Sequence, residues 1–400
     1  MRKLRVDEIA TKKLTFASVL KNPIYKDRNL LFELLPKKGL VHRIEQKNEL
    51  VMELAPILMN SAVNCVFLYG NPGTGKTALV SEIVDELGKE SKKRKIEFKT
   101  AYINCSENKT ETTILIEVLN QLGEEEYPRL GWTRTKALSE FKKKLSDKNT
   151  NLLIVLDEVD YALKESGDDI LYRLSRINER IKANVSTVLI SNDIRVIDYI
   201  KPKTASTAGR VKIIFAPYTY EELRDILKAR VMGSFQKKVV SKAVIEKIAE
   251  IEANRGGDAR KALELLDACG KLALGEKKNK IGLELVNAAD TSLEKDTILG
   301  TIATLTKHQK LLMLTMLKQK EKDLEGTGVY KKYKETCVKQ NVSPLSVRRI
   351  RTFLVDFAEM GLLKQEVTWL RDLKKKSRSI RVEIDSGTKK KAIKMIRDSL

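Results

Sequence analysis

The sequence predicts an α/β unit built on a parallel sheet, an all-helical segment after it, and a basic C-terminal unit of helices closed by a β-hairpin. Three observations carry this. Between about residues 45 and 216, the apolar runs CVFLYG (65–70), FKTAYINC (98–105), NLLIVLDE (151–158), STVLISN (186–192) and VKIIFAPY (211–218) alternate with helical patterns, as parallel strands joined by crossover helices do. From residue 219 to about 290 strand patterns vanish, and amphipathic segments such as YEELRDILKARV and SKAVIEKIAEIEA follow one another. Beyond a polar stretch at 291–296, helical patterns give way to two period-two segments, KQEVTW and SIRVEI, around the basic stretch RDLKKKSR. The expected boundaries are an N-terminal segment at 1–40, the α/β domain at 41–218, a helical lid at 219–293 and the basic domain at 294–400.

The first strand runs into GNPGTGKT, residues 70–77, which fits G-x-x-x-x-G-K-[ST], and the helical pattern ALVSEIVDEL follows. Strand, loop and helix in that order predict a phosphate loop. Its glycines let backbone N–H groups turn inward around phosphates. The expected nucleotide contacts are Gly70, Asn71, Pro72, Gly73, Thr74 and Gly75 in the loop, with Lys76, Thr77 and Ala78 opening the helix. Lys76 reaches the β/γ oxygens and Thr77 offers its hydroxyl to Mg²⁺.

The third strand ends in Asp157 and Glu158 after an apolar run, a Walker B pattern. Asp157 can hold Mg²⁺ through its water shell, and Glu158 can polarise the attacking water. The fourth strand ends near Asn192, whose amide could orient that water, although loops favour Asn for turn reasons alone. In the helical segment, RGGDARKALELL places Arg260 on a helix after Gly256, Gly257 and Asp258, where it either touches the γ-phosphate or is an ordinary solvated arginine.

Composition narrows the chemistry further. The four cysteines are far apart and form no CxxC pair, and there are only two histidines, so zinc ribbons, disulfide frameworks and His-based nucleophiles are not expected. The N-terminus lacks the pattern of a secretory signal and no run reaches membrane-spanning length, giving a cytoplasmic, nucleoid-associated expectation with no membrane partner. The formal charge is +22, and residues 301–400 hold 24 Lys and Arg against 11 Asp and Glu, a local excess of +13. That is a polyanion-binding balance, with nucleic acid the expected polyanion. A Lys- and Glu-rich surface also suits a thermophile, which explains the quantity of charge but not its sign.

Within the basic domain, NVSPLSVRRIRTFLVDFAEMG reads as a helix with Ser343 as N-cap, Pro344 at its first position and Gly361 at its stop. Val347, Ile350, Phe353, Leu354 and Phe357 share one face, leaving Arg348, Arg349 and Arg351 elsewhere. The hairpin then carries Arg371, Lys374, Lys375, Lys376 and Arg378 at a basic tip. Helices followed by such a hairpin describe a winged helix, whose arginines would contact duplex DNA phosphates; some winged helices bind proteins instead.

Together GNPGTGKT, LLIVLDE, the strand ending in SN and GGDARKAL resemble the AAA+ ATPases, and nearly the whole chain is similar to the archaeal origin-recognition-type replication initiators. LVHRIEQKNEL, 40–50, resembles their nucleotide-side entry segment, which implicates Arg43. FAPYTYEELRDIL resembles another of their signatures and implicates Tyr218. The stretch INCSENKTETTILIEVLNQLGEEEYPRLGWT resembles the region ending in their helical insertion. The resemblance implies ATP or ADP held with Mg²⁺ between sheet and lid, and duplex origin DNA bound by the winged helix and the insertion. Arg129, Leu130 and Trp132 are the insertion's candidates, Trp132 being equally suited to core packing. It further implies a monomer off DNA, with a paralogous initiator and the replicative helicase as partners.

Two departures stand out. IKPKTASTAGR replaces the aspartate-proline-arginine stretch of relatives, with Lys203 in the arginine's place and Arg210 further on, so slow Mg-dependent hydrolysis serving as a switch is expected. The wing tip is lysine-rich instead of glycine-rich, favouring phosphate contact over base reading. A paralogous repressor or transcription regulator, with nucleotide mainly structural, is the second reading. A clamp-loader subunit is the third; it explains the ATPase core but not the basic winged helix.

Overall fold

The computed structural model describes residues 24–35, 39–63, 65–123, 126–146, 150–208, 211–319, 328–370, 375–382 and 384–400, without the side chains of 365–370 and 375–379. It forms two compact units, residues 1–286 and 287–400.

In the first unit, five strands make one parallel sheet: β1 (Val66–Gly70), β2 (Phe98–Asn104), β3 (Asn151–Asp157), β4 (Asn184–Ser191) and β5 (Val211–Phe215). Their order is β2-β3-β4-β1-β5. Register pairs Leu68 with Ile190 and Val155 with Val188. β1, β3 and β4 are buried on both faces, which is why they read as unbroken apolar runs, whereas the edge strands β2 and β5 leave Thr100, Lys212 and Ile214 exposed. Val66, Leu68, Leu153 and Val155 pack on one side with Leu79 and Ile83 of the helix that follows the phosphate loop. Phe67, Ile154 and Leu156 pack on the other with Leu115 and Phe141.

The helices of this sheet region are α1 (Asn29–Phe32), α2 (Ile44–Leu54), α3 (Lys76–Lys93), α4 (Glu111–Leu122), α5 (Arg134–Ser146), α6 (Val159–Ser166), α7 (Asp169–Ser175) and α8 (Pro202–Ala208). The lid follows as α9 (Tyr220–Ser234), α10 (Lys242–Arg255) and α11 (Ala259–Gly275). Thr219 and Glu222 close a capping box at the start of α9.

Residues 291–296, expected as a polar linker, lie inside a single helix, α12 (Leu283–Thr304). Their sequence, TSLEKD, has no Gly or Pro to break it.

The second unit adds α13 (Lys307–Leu317), α14 (Gly328–Lys339), α15 (Val347–Glu359), β6 (Lys364–Leu370), β7 (Lys375–Arg381) and α16 (Ser386–Asp398). Leu311, Tyr333, Phe353, Phe357, Ile380 and Ile396 form its core. The α15 N-cap is Ser346, not Ser343: Ser346 Oγ accepts the Arg349 N–H. Residues 343–346 are held out of the helix by α14, because Tyr333 OH accepts the Leu345 N–H at 3.3 Å and Tyr330 OH donates to Leu345 O at 3.1 Å. Gly361 ends α15 as expected, with φ 70° and the bonds Gly361 N–H to Ala358 O and Leu362 N–H to Phe357 O of a Schellman motif. The hairpin is antiparallel. Lys375, Lys376 and Arg378, expected at its tip, lie in β7 opposite Leu370, Trp369 and Val367. Arg371 and Lys374 fall outside the described residues.

Candidate nucleotide and DNA sites

The strand order sets the nucleotide site. With β4 between β3 and β1, the ends of the three strands bring Asp157, Asn192 and the phosphate loop side by side. Gly75 precedes α3 in the left-handed region at φ 93°, and a Cβ there would stand 2.5 Å from Tyr218 OH. A Cβ on Gly73 would fall 1.7 Å from Asp258 Oδ1 of the lid. Only glycine lets the loop sit between β5's exit and the lid.

Lys76 is 4% exposed and curls over the loop, donating to Gly70 O and Asn71 O at 2.8 Å each. Thr74 Oγ donates to Asn71 O at 2.8 Å. Burial, and then the charge of Arg260, push the Lys76 ammonium down to about 8. Arg260 lines the cleft while the Lys76 ammonium is turned onto the loop carbonyls, and an anion held near both would relieve the penalty on Lys76.

Thr77 Oγ donates to Asp157 Oδ2 at 3.0 Å, and Tyr102 OH donates to the same oxygen. The Glu158 N–H donates to Asp157 Oδ1 at 2.9 Å. Burial and the Asp157 charge push the Tyr102 phenol up, so it stays a donor. Glu158 itself holds a left-handed backbone, φ 55°, at the N-cap of α6. Asn192 follows Ser191, whose hydroxyl donates to Asp160 Oδ1 of α6 at 2.9 Å. Lys164 pairs with Asp193 at 3.0 Å. Asn192 is therefore gripped on both flanks by α6, the helix that Glu158 opens.

Arg43 is buried, donating from Nε to Thr74 O at 3.1 Å and from Nη2 to Ala216 O at 2.6 Å, with its guanidinium 3.9 Å from the Tyr218 ring centroid. It braces the loop from behind. Asp258 caps α11 through the N–H groups of Arg260 and Lys261, leaving the Arg260 side chain exposed along the cleft.

The cleft has a volume of about 270 Å³. Gly73, Gly75, Thr77, Ala78, Tyr218 and Arg260 line it, joined by Leu40, Val41 and His42 of the expected entry segment and by Phe32 and Leu34, which sequence reasoning missed. The signal available was the apolar LLFELLP inside an otherwise polar N-terminal segment. That segment is fastened to the lid. Arg230 donates to Leu30 O and Glu33 O at 3.0 and 2.7 Å, and Arg28 pairs with Asp267 through two bonds of 2.7 Å.

The donor set fits a nucleotide and a hard cation. The loop offers a cradle open to phosphate, Lys76 and Arg260 supply positive charge, and Thr77 and Asp157 present oxygens. Among the described residues no three His, Cys, Asp or Glu side chains converge, so a cation here would share phosphate oxygens, as Mg²⁺ does.

In the region of the insertion, Leu130 is 87% exposed while Arg129 pairs with Glu117 at 2.9 Å. Trp132 is half-buried against the sheet core, edge-on to Tyr127 at 5.5 Å and covered by the Lys136 ammonium at 4.4 Å. It is packed, leaving Leu130 as the segment's exposed apolar side chain. On α15, Arg348, Arg349 and Arg351 are exposed while Ile350, Phe353 and Phe357 are buried. Among the described residues no helix is long and apolar enough to cross a membrane.

Comparison with known proteins agrees with this architecture. Residues 60–194 match the AAA domain family, 224–291 the Cdc6 AAA+ ATPase-type lid domain and 300–392 the CDC6 C-terminal winged helix domain. The chain is 36% identical over 351 residues to an ORC1-type DNA replication protein of Thermococcus kodakarensis, covering 86% of this chain and 85% of the relative. It is 34% identical over 392 residues to ORC1-type DNA replication protein 1 of Sulfurisphaera tokodaii, covering 97% and 96%. The solved Aeropyrum pernix ORC1 protein, determined in complex with DNA, superposes with a TM-score of 0.81 at 28% identity, covering 94% of this chain and 99% of that one. Identity of this extent, spread over sheet, lid and winged helix together, means that the chain belongs to the ORC1-type DNA replication protein family.

Proposed function

We propose that this chain is an ATP-binding replication initiator that binds duplex origin DNA and helps recruit the replicative helicase, with slow hydrolysis acting as a switch. The observation that carries the reading is the likeness, over almost the full length of both chains, to an ORC1 protein solved with DNA. On this reading, residues 41–218 and 219–293 hold ATP or ADP and residues 294–400 hold DNA. Lys76 and Arg260 take the phosphates, Thr77 and Asp157 hold Mg²⁺, and Glu158 and Asn192 orient the attacking water. The bound metal supplies charge neutralisation at the γ-phosphate. Arg43 and Tyr218 act by bracing the loop that Gly70–Gly75 form.

DNA contact is assigned to Arg348, Arg349 and Arg351, to the wing from Arg371 to Arg378, and to Arg129 and Leu130 of the insertion. An exposed leucine suits a wedge against a minor groove, with specificity from deformability. Trp132 positions that segment from below.

The observation that favours the regulator reading is Lys203. Its ammonium lies 4.5 Å from the Tyr172 ring centroid, engaged within its own chain. An arginine finger, where one operates, contributes about 10³–10⁵-fold in rate. Slow turnover by the isolated protein follows on either reading.

Capture of sheared genomic DNA by the purified protein at near-physiological salt, with sequencing of what is retained, tests the proposal. Enrichment of discrete loci beside replication start sites supports an initiator. Enrichment at promoters moves the assignment to a regulator, and uniform retention refutes origin recognition.

A further inference from the structure

A second group of cations lies in the ATPase unit, none of them lining the nucleotide cleft. Lys142 comes from α5, Arg173 from α7, Arg176 and Arg180 from the turn that follows it, and Lys203 from α8. The first four surround a hollow of about 90 Å³, enough for a phosphate group, floored by Leu138 and Ile177. Tyr172 stands at its edge. Arg176 Nη1 donates to the Tyr172 hydroxyl at 2.8 Å, and the Lys203 ammonium covers the ring.

The balance of charge is positive. Arg173 is matched by Glu111 at 2.9 Å and Arg176 by Glu179 at 3.0 Å. Lys142, Arg180 and Lys203 have no carboxylate partner among the described residues. The Tyr172 phenol is accordingly held below its ordinary range, first by the Arg176 hydrogen bond and then by Lys203.

What such a surface recognises depends on its apolar content. Protein partners dock on an apolar centre with a polar rim. None of the large hydrophobic side chains exposed among the described residues belongs to α5, α7, α8 or the 176–180 turn. Arginine forks and lysine point charges with no exposed large hydrophobic side chain among them match phosphodiesters.

We propose that Lys142, Arg176, Arg180 and Lys203 form a phosphodiester-backbone contact on the ATPase unit, additional to the winged helix and the insertion. This rests on the duplex-binding reading above and adds a site to it. The contact is sequence-independent, because it reaches phosphate and no base edge. It adds affinity and salt sensitivity without adding specificity.

The test uses the full chain and a fluorescent duplex titrated across a salt series. Lys142→Gln with Arg180→Gln should weaken binding several-fold near 0.1–0.2 M salt and make the log–log salt slope shallower by about 2, one counterion contact per residue. Its melting temperature and ATP affinity should match the wild type, since neither residue reaches the cleft. Combining it with Arg348→Gln and Arg349→Gln should give additive losses.

The charge-conserving pair Lys142→Arg and Arg180→Lys should keep the wild-type slope; if it loses affinity equally, charge is not the cause and the proposal fails. An unchanged slope in the neutral variant, with the Arg348/Arg349 variant weakened, overturns this contact while sparing the DNA reading. A wild type that does not bind duplex overturns both. Retained duplex binding with lost self-association in sedimentation makes the surface a protein interface and overturns the proposal.

Discussion

The Thr77 hydroxyl donates to Asp157 Oδ2 across 3.0 Å, tying the first turn after the phosphate loop to the end of β3. Tyr102 of β2 donates to the same oxygen. One carboxylate thus gathers three strand-end elements around the position assigned to Mg²⁺. Asp157→Ala should abolish the gain in ATP affinity that Mg²⁺ gives over EDTA. It should also cost about 1–3 kcal/mol in stability, because the Thr77 and Tyr102 hydroxyls lose their acceptor. Titrations with and without EDTA, beside thermal melts, check both; an Mg²⁺ dependence equal to the wild type's would remove Asp157 from the metal site.

Glu158 pairs a proposed catalytic role with an unfavourable backbone. The left-handed region costs a non-glycine residue about 1–2 kcal/mol, and Glu158 occupies it at φ 55°. Two substitutions separate chemistry from strain. Glu158→Gln should retain ATP and stop hydrolysis with the melting point unchanged. Glu158→Gly should also stop hydrolysis but stabilise the fold by about 1 kcal/mol. Steady-state turnover and melts of the two variants read this out; undiminished turnover in Glu158→Gln refutes the assignment.

Lys76 should make nucleotide binding proton-linked. Its ammonium, pushed down to about 8 by burial and by Arg260, returns toward its ordinary range once phosphates lie against it. Below about pH 8 the group is charged in both states and affinity is flat on its account. Above it, the free protein has lost a proton that the complex regains. Affinity should therefore fall by up to about tenfold per pH unit as pH rises toward 10. Calorimetry at about pH 9 in buffers of different ionisation enthalpy should show uptake of most of one proton on ADP binding. Zero uptake means that Lys76 is already charged in the free protein.

Legibility in the sequence followed the range of the interactions. The central strands β1, β3 and β4 were readable because burial on both faces leaves an unbroken apolar run, the edge strands β2 and β5 because one buried face keeps alternate residues apolar, and the loop from Gly70 to Thr77 because one short segment holds all its parts. Gly361 was readable as a stop since its left-handed geometry is a local demand. The start of α15 was not. Ser343 and Ser346 are both good caps, and the choice is made by Tyr330 and Tyr333, which hold Leu345 from another helix. The N-terminal wall of the cleft was missed for the same reason: Tyr25 and Arg28 meet Asp267 some 240 positions away. Arg43 was identified only through resemblance, and the buried bonds to Thr74 O and Ala216 O give it a bracing role that residue type alone does not specify.

Gly270 tests whether that wall is fixed from the lid side. In the interior of α11, Gly→Ala ordinarily stabilises by about 1 kcal/mol. Here a Cβ would stand 2.2 Å from Tyr25 OH and 2.7 Å from its Cζ. Tyr25 would have to leave, giving up its 2.9 Å bonds to Asp267 O and Oδ1. Gly270→Ala should therefore destabilise by about 1–2 kcal/mol and weaken ATP binding, since the segment that Tyr25 anchors continues into Phe32 and Leu34 of the cleft. With Tyr25→Ala already present only Phe235 Cε1 remains close, at 3.3 Å, so Gly270→Ala should be less costly than in the wild type by about 1 kcal/mol or more. Melts of the four proteins close the cycle. Equal stabilisation in both backgrounds would mean that Tyr25 does not pack against Gly270, and that the N-terminal segment forms the cleft wall without this anchor.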